Sequence, residues 1–218
     1  MRMETYGRIG MEMVAALKSN RMNFIENFEV FGFTCFRATI NEIEEVLKDK
    51  FDANVKYEMK KKSFLFDLYL KRPPKGGAHL IKAYFFVPGS NSSMVVMVTN
   101  YNDEWQTLAN YIANELKLDA FSFHMTSDLN ISDARNSFTH WANGNKARVV
   151  YAMKDPKWIF YEEGDPLWLE NIEFYKRKII KDRLNHNILI SYCEKLNLNI
   201  TEKSFWKNND AILLEKIS

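Results

Sequence analysis

Val30-Phe31-Gly32-Phe33-Thr34-Cys35-Phe36, followed by Asn41-Glu42-Ile43-Glu44-Glu45-Val46-Leu47-Lys48-Asp49-Lys50-Phe51, is the stretch on which the reading of the fold turns. In its first part Phe31, Phe33 and Cys35 share one side of a period-two pattern, and Thr34 and Phe36 share the other. That spacing predicts a strand over 30–38 with cover on both faces. In its second part Ile43, Val46, Leu47 and Phe51 recur at helical spacing. They give a helix one apolar stripe, and Asn41 with Glu44 fits a capping box at its start.

The same strand-helix order returns in the second half of the chain. Residues 94–99 are apolar and strand-sized, and Asn102 or Asp103 can cap a helix whose buried side reads Trp105, Leu108, Ala109, Ile112 and Leu116. After the first helix, strands are predicted at 54–60, 63–71 and 79–87, with Lys60-Lys61-Lys62 as a solvated turn. After the second, strands are predicted near 120–126, 137–142, 147–153 and 157–161, with Asn143-Gly144 as a hairpin turn. A short helix is predicted at 11–25. Residues 171–196 read as one long helix with a stripe of Ile172, Tyr175, Ile179, Leu184, Ile188, Tyr192 and Leu196. Lys176, Arg177, Lys178, Lys181 and Arg183 form its basic outer face, and a last short helix docks through Phe205 and Trp206.

These readings predict an α+β fold: mixed or antiparallel sheets with packed helices, plus a long C-terminal helix. The repeated order allows a tandem pair of β-α-β-β-β modules, with halves 26–90 and 91–170 and a helical region 171–218. The breaks at 72–77, 88–93 and 164–166 are too short to be linkers, so the expectation is a single compact domain over 1–218.

Composition narrows the functional classes. The 218 residues are 46% hydrophobic and 27% charged, which is a globular balance. Thirty basic against 28 acidic residues leave a net charge of +2, too even for a dedicated electrostatic nucleic-acid binder. Two cysteines, Cys35 and Cys193, support neither a disulfide scaffold nor a four-cysteine zinc site, and reduced core thiols are expected. No apolar run is long enough to cross a bilayer and no signal peptide is visible, so a cytoplasmic location with no membrane partner is the expectation.

No HExxH, GxSxG, GxGxxG or GxxxxGK pattern occurs, and neither cofactor nor metal is expected. Ser122, His124 and Thr126 fall on the opposite side of a strand from Phe121, Phe123 and Met125, with Asp128 at its end. His124 oriented by Asp128 is therefore the one candidate general base, because imidazole titrates near neutrality. The other candidate site is Glu162-Glu163-Gly164-Asp165, flanked by Trp158 and Trp168. Aromatic anchors beside charged rims suit protein interfaces. The leading expectation is a non-catalytic protein-binding or regulatory protein, of an immunity, inhibitor or adaptor kind, whose partner is another protein. The alternatives are a small hydrolase or transferase using His124 and Asp128, and a nucleic-acid binder using the basic patches at 60–62, 71–75 and 176–183.

Overall fold

In the computed structural model, which describes residues 30–52, 55–64, 80–101 and 103–217, β1 (Val30–Phe36) lies inside a single nine-stranded sheet. The other strands are β2 (Tyr57–Phe64), β3 (Lys82–Phe86), β4 (Val95–Thr99), β5 (Ala120–Thr126), β6 (Arg135–Ala142), β7 (Asn145–Asp155), β8 (Lys157–Glu163) and β9 (Asn208–Lys216). Their order across the sheet is β2-β9-β3-β4-β1-β5-β6-β7-β8, and every pairing is antiparallel. The described helices are α1 (Ile40–Phe51), α2 (Gln106–Leu116) and α3 (His186–Lys195).

Period-two alternation divides β1 between two cores. Phe31, Phe33 and Cys35 join Phe121, Phe123 and Phe138 on one face, beneath the C-terminal segment 169–206. Phe36 joins Val95, Met97 and Ala120 on the other face, beneath the buried sides of α1 and α2. The central strands β4 and β5 are buried along their whole length because both faces are covered.

This architecture replaces the expected α+β arrangement of tandem modules. β1 and β4, which were to begin separate modules, are adjacent antiparallel strands of one sheet, with Thr34 opposite Met97. Their helices lie together on one face. β9 was not anticipated as a strand: it enters between β2 and β3, so the end of the chain completes the sheet that the first half began.

The long C-terminal helix is also overturned. Residues 171–196 form two short 3₁₀ turns, Ile172–Lys176 and Ile180–Asp182, and then the short α3. Two local features break the helix. The Asn185 side chain accepts from the Ile188 amide and starts a new helix there. Arg183 Nε donates to the Arg177 carbonyl at 2.7 Å, and Arg177 Nη1 donates to the Asp182 carbonyl at 2.8 Å, so side chains take backbone acceptors that a continuous helix would use. Leu184 is fully buried, while Ile179, assigned to the same stripe, is 55% exposed.

Smaller corrections have equally local causes. The capping box of α1 uses Thr39 and Glu42, not Asn41 and Glu44: the Glu42 amide donates to Thr39 Oγ1, and the Thr39 amide donates to Glu42 at 2.8 Å. Lys60, Lys61 and Lys62 lie within β2, not in a turn. There Lys60 pairs with Glu215 and Lys61 with Glu44, at 2.8 Å for the latter. Asn143 and Gly144 do form a hairpin turn with positive φ, 48° and 78°. The predicted helix at 11–25, the loop at 72–77 and most of the predicted strand 63–71 lie outside the described residues.

Candidate functional site

His124 sits on β5 opposite Gly32 of β1 and Ser137 of β6, on the face that also carries α2. Its partner is not Asp128. Asp128 Oδ1 instead accepts from the Asn130 amide and side chain at 2.9 Å each, closing an exposed turn. His124 Nδ1 is bonded to Glu104 Oε1, and both residues are buried. Glu104 Oε2 accepts from Arg135 Nη2 at 3.3 Å and from Gln106 Nε2 at 3.4 Å. The Gln106 amide also donates to Ser122 Oγ at 2.7 Å. One carboxylate thus ties the entrance of α2 to β5 and β6.

The backbone makes room for it in two ways. A Cβ on Gly32 would lie 2.3 Å from Glu104 Cγ, so the absent side chain is the space the carboxylate fills. Glu104 and Trp105 both adopt left-handed φ, 53° and 50°, turning the chain so that Glu104 points into the sheet. Such conformations cost roughly 1–3 kcal/mol each and persist where surrounding contacts over-determine them. No spacing in the sequence links Glu104 to His124; the only local hint is a glycine within an otherwise bulky strand. His124 and Glu104 are 6% and 2% exposed. A pair so closed to solvent suits the positioning of the α2 entrance better than proton transfer to a substrate.

The acidic-aromatic stretch is placed very differently. At its base is Arg148 of β7, fully buried. Its Nε donates to Glu170 at 3.0 Å and its Nη2 to Glu170 at 2.8 Å, a bidentate pair. Nη2 also reaches Glu162 at 2.7 Å, and Nη1 donates to the Gly164 carbonyl at 2.6 Å. Burial alone would lower the Arg148 pKa, but the two carboxylates more than offset it and hold the guanidinium charged. Glu170 further accepts from the Leu167 amide at 2.7 Å and from the Tyr175 hydroxyl at 2.8 Å. Burial first, then the bond to Tyr192, pushes the Tyr175 phenol well above its ordinary range. Gly164, at φ 79°, fits this corner because a Cβ there would meet the Ala147 carbonyl at 1.9 Å.

The five expected binding residues therefore divide. Trp158 is half-buried and packs against the large core, and Glu162 is held by Arg148. Glu163 accepts from the Tyr161 hydroxyl at 2.7 Å, and Asp165 is exposed. Trp168 stands out at 71% exposure, although its neighbours Leu167 and Leu169 pack inward. Arg148 and Glu170, which hold this corner, were not anticipated, because they lie 22 residues apart and meet only across the C-terminal segment.

The remaining chemistry-bearing groups are core groups. Cys35 and Cys193 are free and buried. Burial pushes the Cys35 thiol up to about 12, and Cys193 is likewise raised well above its ordinary value. No cluster of three or more His, Cys, Asp or Glu side chains could hold a metal among the described residues. No described helix is long and apolar enough to cross a membrane. His140 stacks on Phe121 at 4.7 Å, and burial lowers its pKa, as it does that of His186. Both are therefore expected to stay neutral in the fold where an unfolded chain takes up protons, below about pH 6.5. Stability should fall as pH drops from 7 toward 5, above the range in which the lowered carboxylates Glu44 and Glu215 titrate. Denaturation midpoints across that range check this: His140→Gln with His186→Gln should flatten the slope, and an unchanged slope would refute the assignment.

The described residues define a class, a nine-stranded antiparallel sheet with two helices on one face and an irregular C-terminal cover on the other. Compared with known proteins, the chain matches no protein family, no curated protein and no solved structure.

Proposed function

We propose that the protein acts without catalysis, by binding another protein through the corner where β8 runs into the loop 164–171. The observation that carries this reading is Trp168, 71% exposed on a loop whose base is pinned by the buried Arg148–Glu170 pair. An exposed tryptophan on a rigid base offers a large apolar contact at low ordering cost, and tryptophan is enriched among the residues that dominate interface energies. Exposed Ile172 extends the apolar surface along the chain, Asp165 is an exposed carboxylate on the same loop, and Glu162 with Glu170 outnumber the single Arg148 guanidinium by one negative charge. The fitting partner is a basic segment carrying an apolar group for the tryptophan. Charge would steer and orient the encounter, and desolvation of the indole would supply most of the affinity. An immunity, inhibitor or adaptor role belongs to this class, and two buried free thiols support a reducing, cytoplasmic compartment.

Selection of peptides from a random displayed library on the purified protein tests the reading. Enriched sequences should combine Lys or Arg with a large apolar residue. Trp168→Ala should weaken their binding about tenfold or more, with little change in thermal stability, and Asp165→Lys should slow association. Enrichment of nothing, or binders indifferent to Trp168→Ala, would overturn it. Gln substitutions at Glu162 are unsuitable here, since that carboxylate also serves Arg148.

A further inference from the structure

We propose that β8 is a dimerisation edge, pairing antiparallel with β8 of a second copy about a two-fold axis through Phe160. The inference rests on the strand edge and not on the Trp168 corner. Among the described residues β2 and β8 are the outermost strands of the sheet, and β8 is bonded to β7 alone. An unpaired edge offers a row of backbone donors and acceptors to another strand, and proteins commonly defend it with like charges. β2 carries that defence. Lys60, Lys61 and Lys62 sit at its middle, so two β2 strands meeting antiparallel would set lysine against lysine.

β8 is built in the opposite sense. Its seven residues, Lys-Trp-Ile-Phe-Tyr-Glu-Glu, place opposite charges at the two ends and apolar side chains on either side of the centre. With Phe160 on the axis, Lys157 lies opposite the partner's Glu163, Trp158 opposite the partner's Glu162, and Ile159 opposite the partner's Tyr161. Each pair falls on one face of the joined sheet, as the pleat requires. A slip of one residue would bring an inward-facing residue opposite an outward-facing one. A slip of two would separate Lys157 from the partner's Glu163 and shorten the contact. Symmetry makes every pair occur twice, as in other two-fold interfaces.

Exposure agrees with this register. Ile159 and Tyr161 are 40% and 42% exposed on the same face, and the Tyr161 ring stacks on Tyr151 of β7 at 5.1 Å. Pairing would cover these side chains against their counterparts and carry the aromatic row across the axis. Lys157 is exposed and makes no ion pair among the described residues, so its charge is left for the partner strand.

Sedimentation equilibrium of the full chain, from micromolar to millimolar concentration, tests the proposal. The wild type should show a monomer–dimer equilibrium. Lys157→Glu and Glu163→Lys, made singly, each place like charges opposite one another at both ends of the contact. Each should raise the dimer dissociation constant at least about tenfold. The double variant restores the opposite pairing with its sense reversed and should return to within about threefold of wild type. A merely destabilised strand would not be rescued in this way, and thermal melts of all variants separate folding losses from association. A wild type that stays monomeric throughout would overturn the proposal. So would a dimer that neither single variant weakens, or a double variant no tighter than the single ones.

Discussion

Glu170→Ala is expected to lower the unfolding free energy by about 3–5 kcal/mol, the range found when one partner of a buried ion pair is removed. The Arg148 and Glu170 side chains are 1% and 0% exposed, so water cannot replace the lost carboxylate. The substitution also strips acceptors from the Leu167 amide and the Tyr175 hydroxyl. The Leu167 amide becomes a part-buried donor without its acceptor, and the Tyr175 hydroxyl keeps only Tyr192, each loss carrying its own penalty. Glu162→Ala is the matched control. Its bond to the same guanidinium is of similar length, but its side chain is 43% exposed, so the loss should stay below about 1 kcal/mol. Replacing both members, as Arg148→Met with Glu170→Leu, should recover only part of the loss, because the Gly164 carbonyl and the Leu167 amide would still lack these partners and the Tyr175 hydroxyl would keep only Tyr192. Urea denaturation of the purified variants measures all of these. Equal losses at Glu170 and Glu162 would show that burial does not set the strength of the network.

Trp206→Ala is expected to have an effect of similar size, about 3–5 kcal/mol, through packing instead of charge. The indole is fully buried at the centre of the C-terminal cover. It meets Phe31 and Phe33 of β1 edge-on, with ring centroids 5.2 and 5.7 Å away. Its Nε1 donates to the Ile200 carbonyl at 2.7 Å. Alanine would leave a cavity against the middle of the sheet and a carbonyl without its donor. Trp206→Phe keeps most of the volume and should cost less, the difference reflecting the lost hydrogen bond and the smaller ring. Because Trp206 lies two residues before the start of β9, loosening it should also speed amide exchange in β9 before that in β5. A uniform change across the sheet would place the weak point elsewhere.

The network around Arg148 and the docking of Trp206 explain why residues 164–206 need no long helix. A helix held only by one apolar stripe would have to bury Ile172 and Ile179, and both are exposed. The segment is held instead by separate anchors: Glu170 on Arg148, Tyr175 and Tyr192 bonded at 2.9 Å, Leu184 in the core, and the short α3. Irregular backbone with few fixed points leaves side chains such as Trp168 outside, and this gives the proposed recognition corner its shape.

Local alternation alone determined where much of the sheet lies. Phe31, Phe33 and Cys35 alternate with Thr34 and Phe36, and both sets are buried because β1 is covered on two sides. β5 runs over Ala120–Thr126 and β8 begins at Lys157, the positions predicted for them. The stripe of α1, Ile43, Val46, Leu47 and Phe51, is its buried side. Such patterns report that a side chain leaves water, and they do so over a few residues. They carry no information about what the side chain meets. The position of β9 between β2 and β3 depends on Tyr57 finding Lys216, and the His124 partner is a glutamate twenty residues away. Only tertiary structure decided these, because distant pairings are chosen by the shared faces of the whole sheet and by charges that must be matched once buried. The same reason broke the long helix: its stripe was consistent with burial, but the surface available accepted Leu184 and left Ile179 in water.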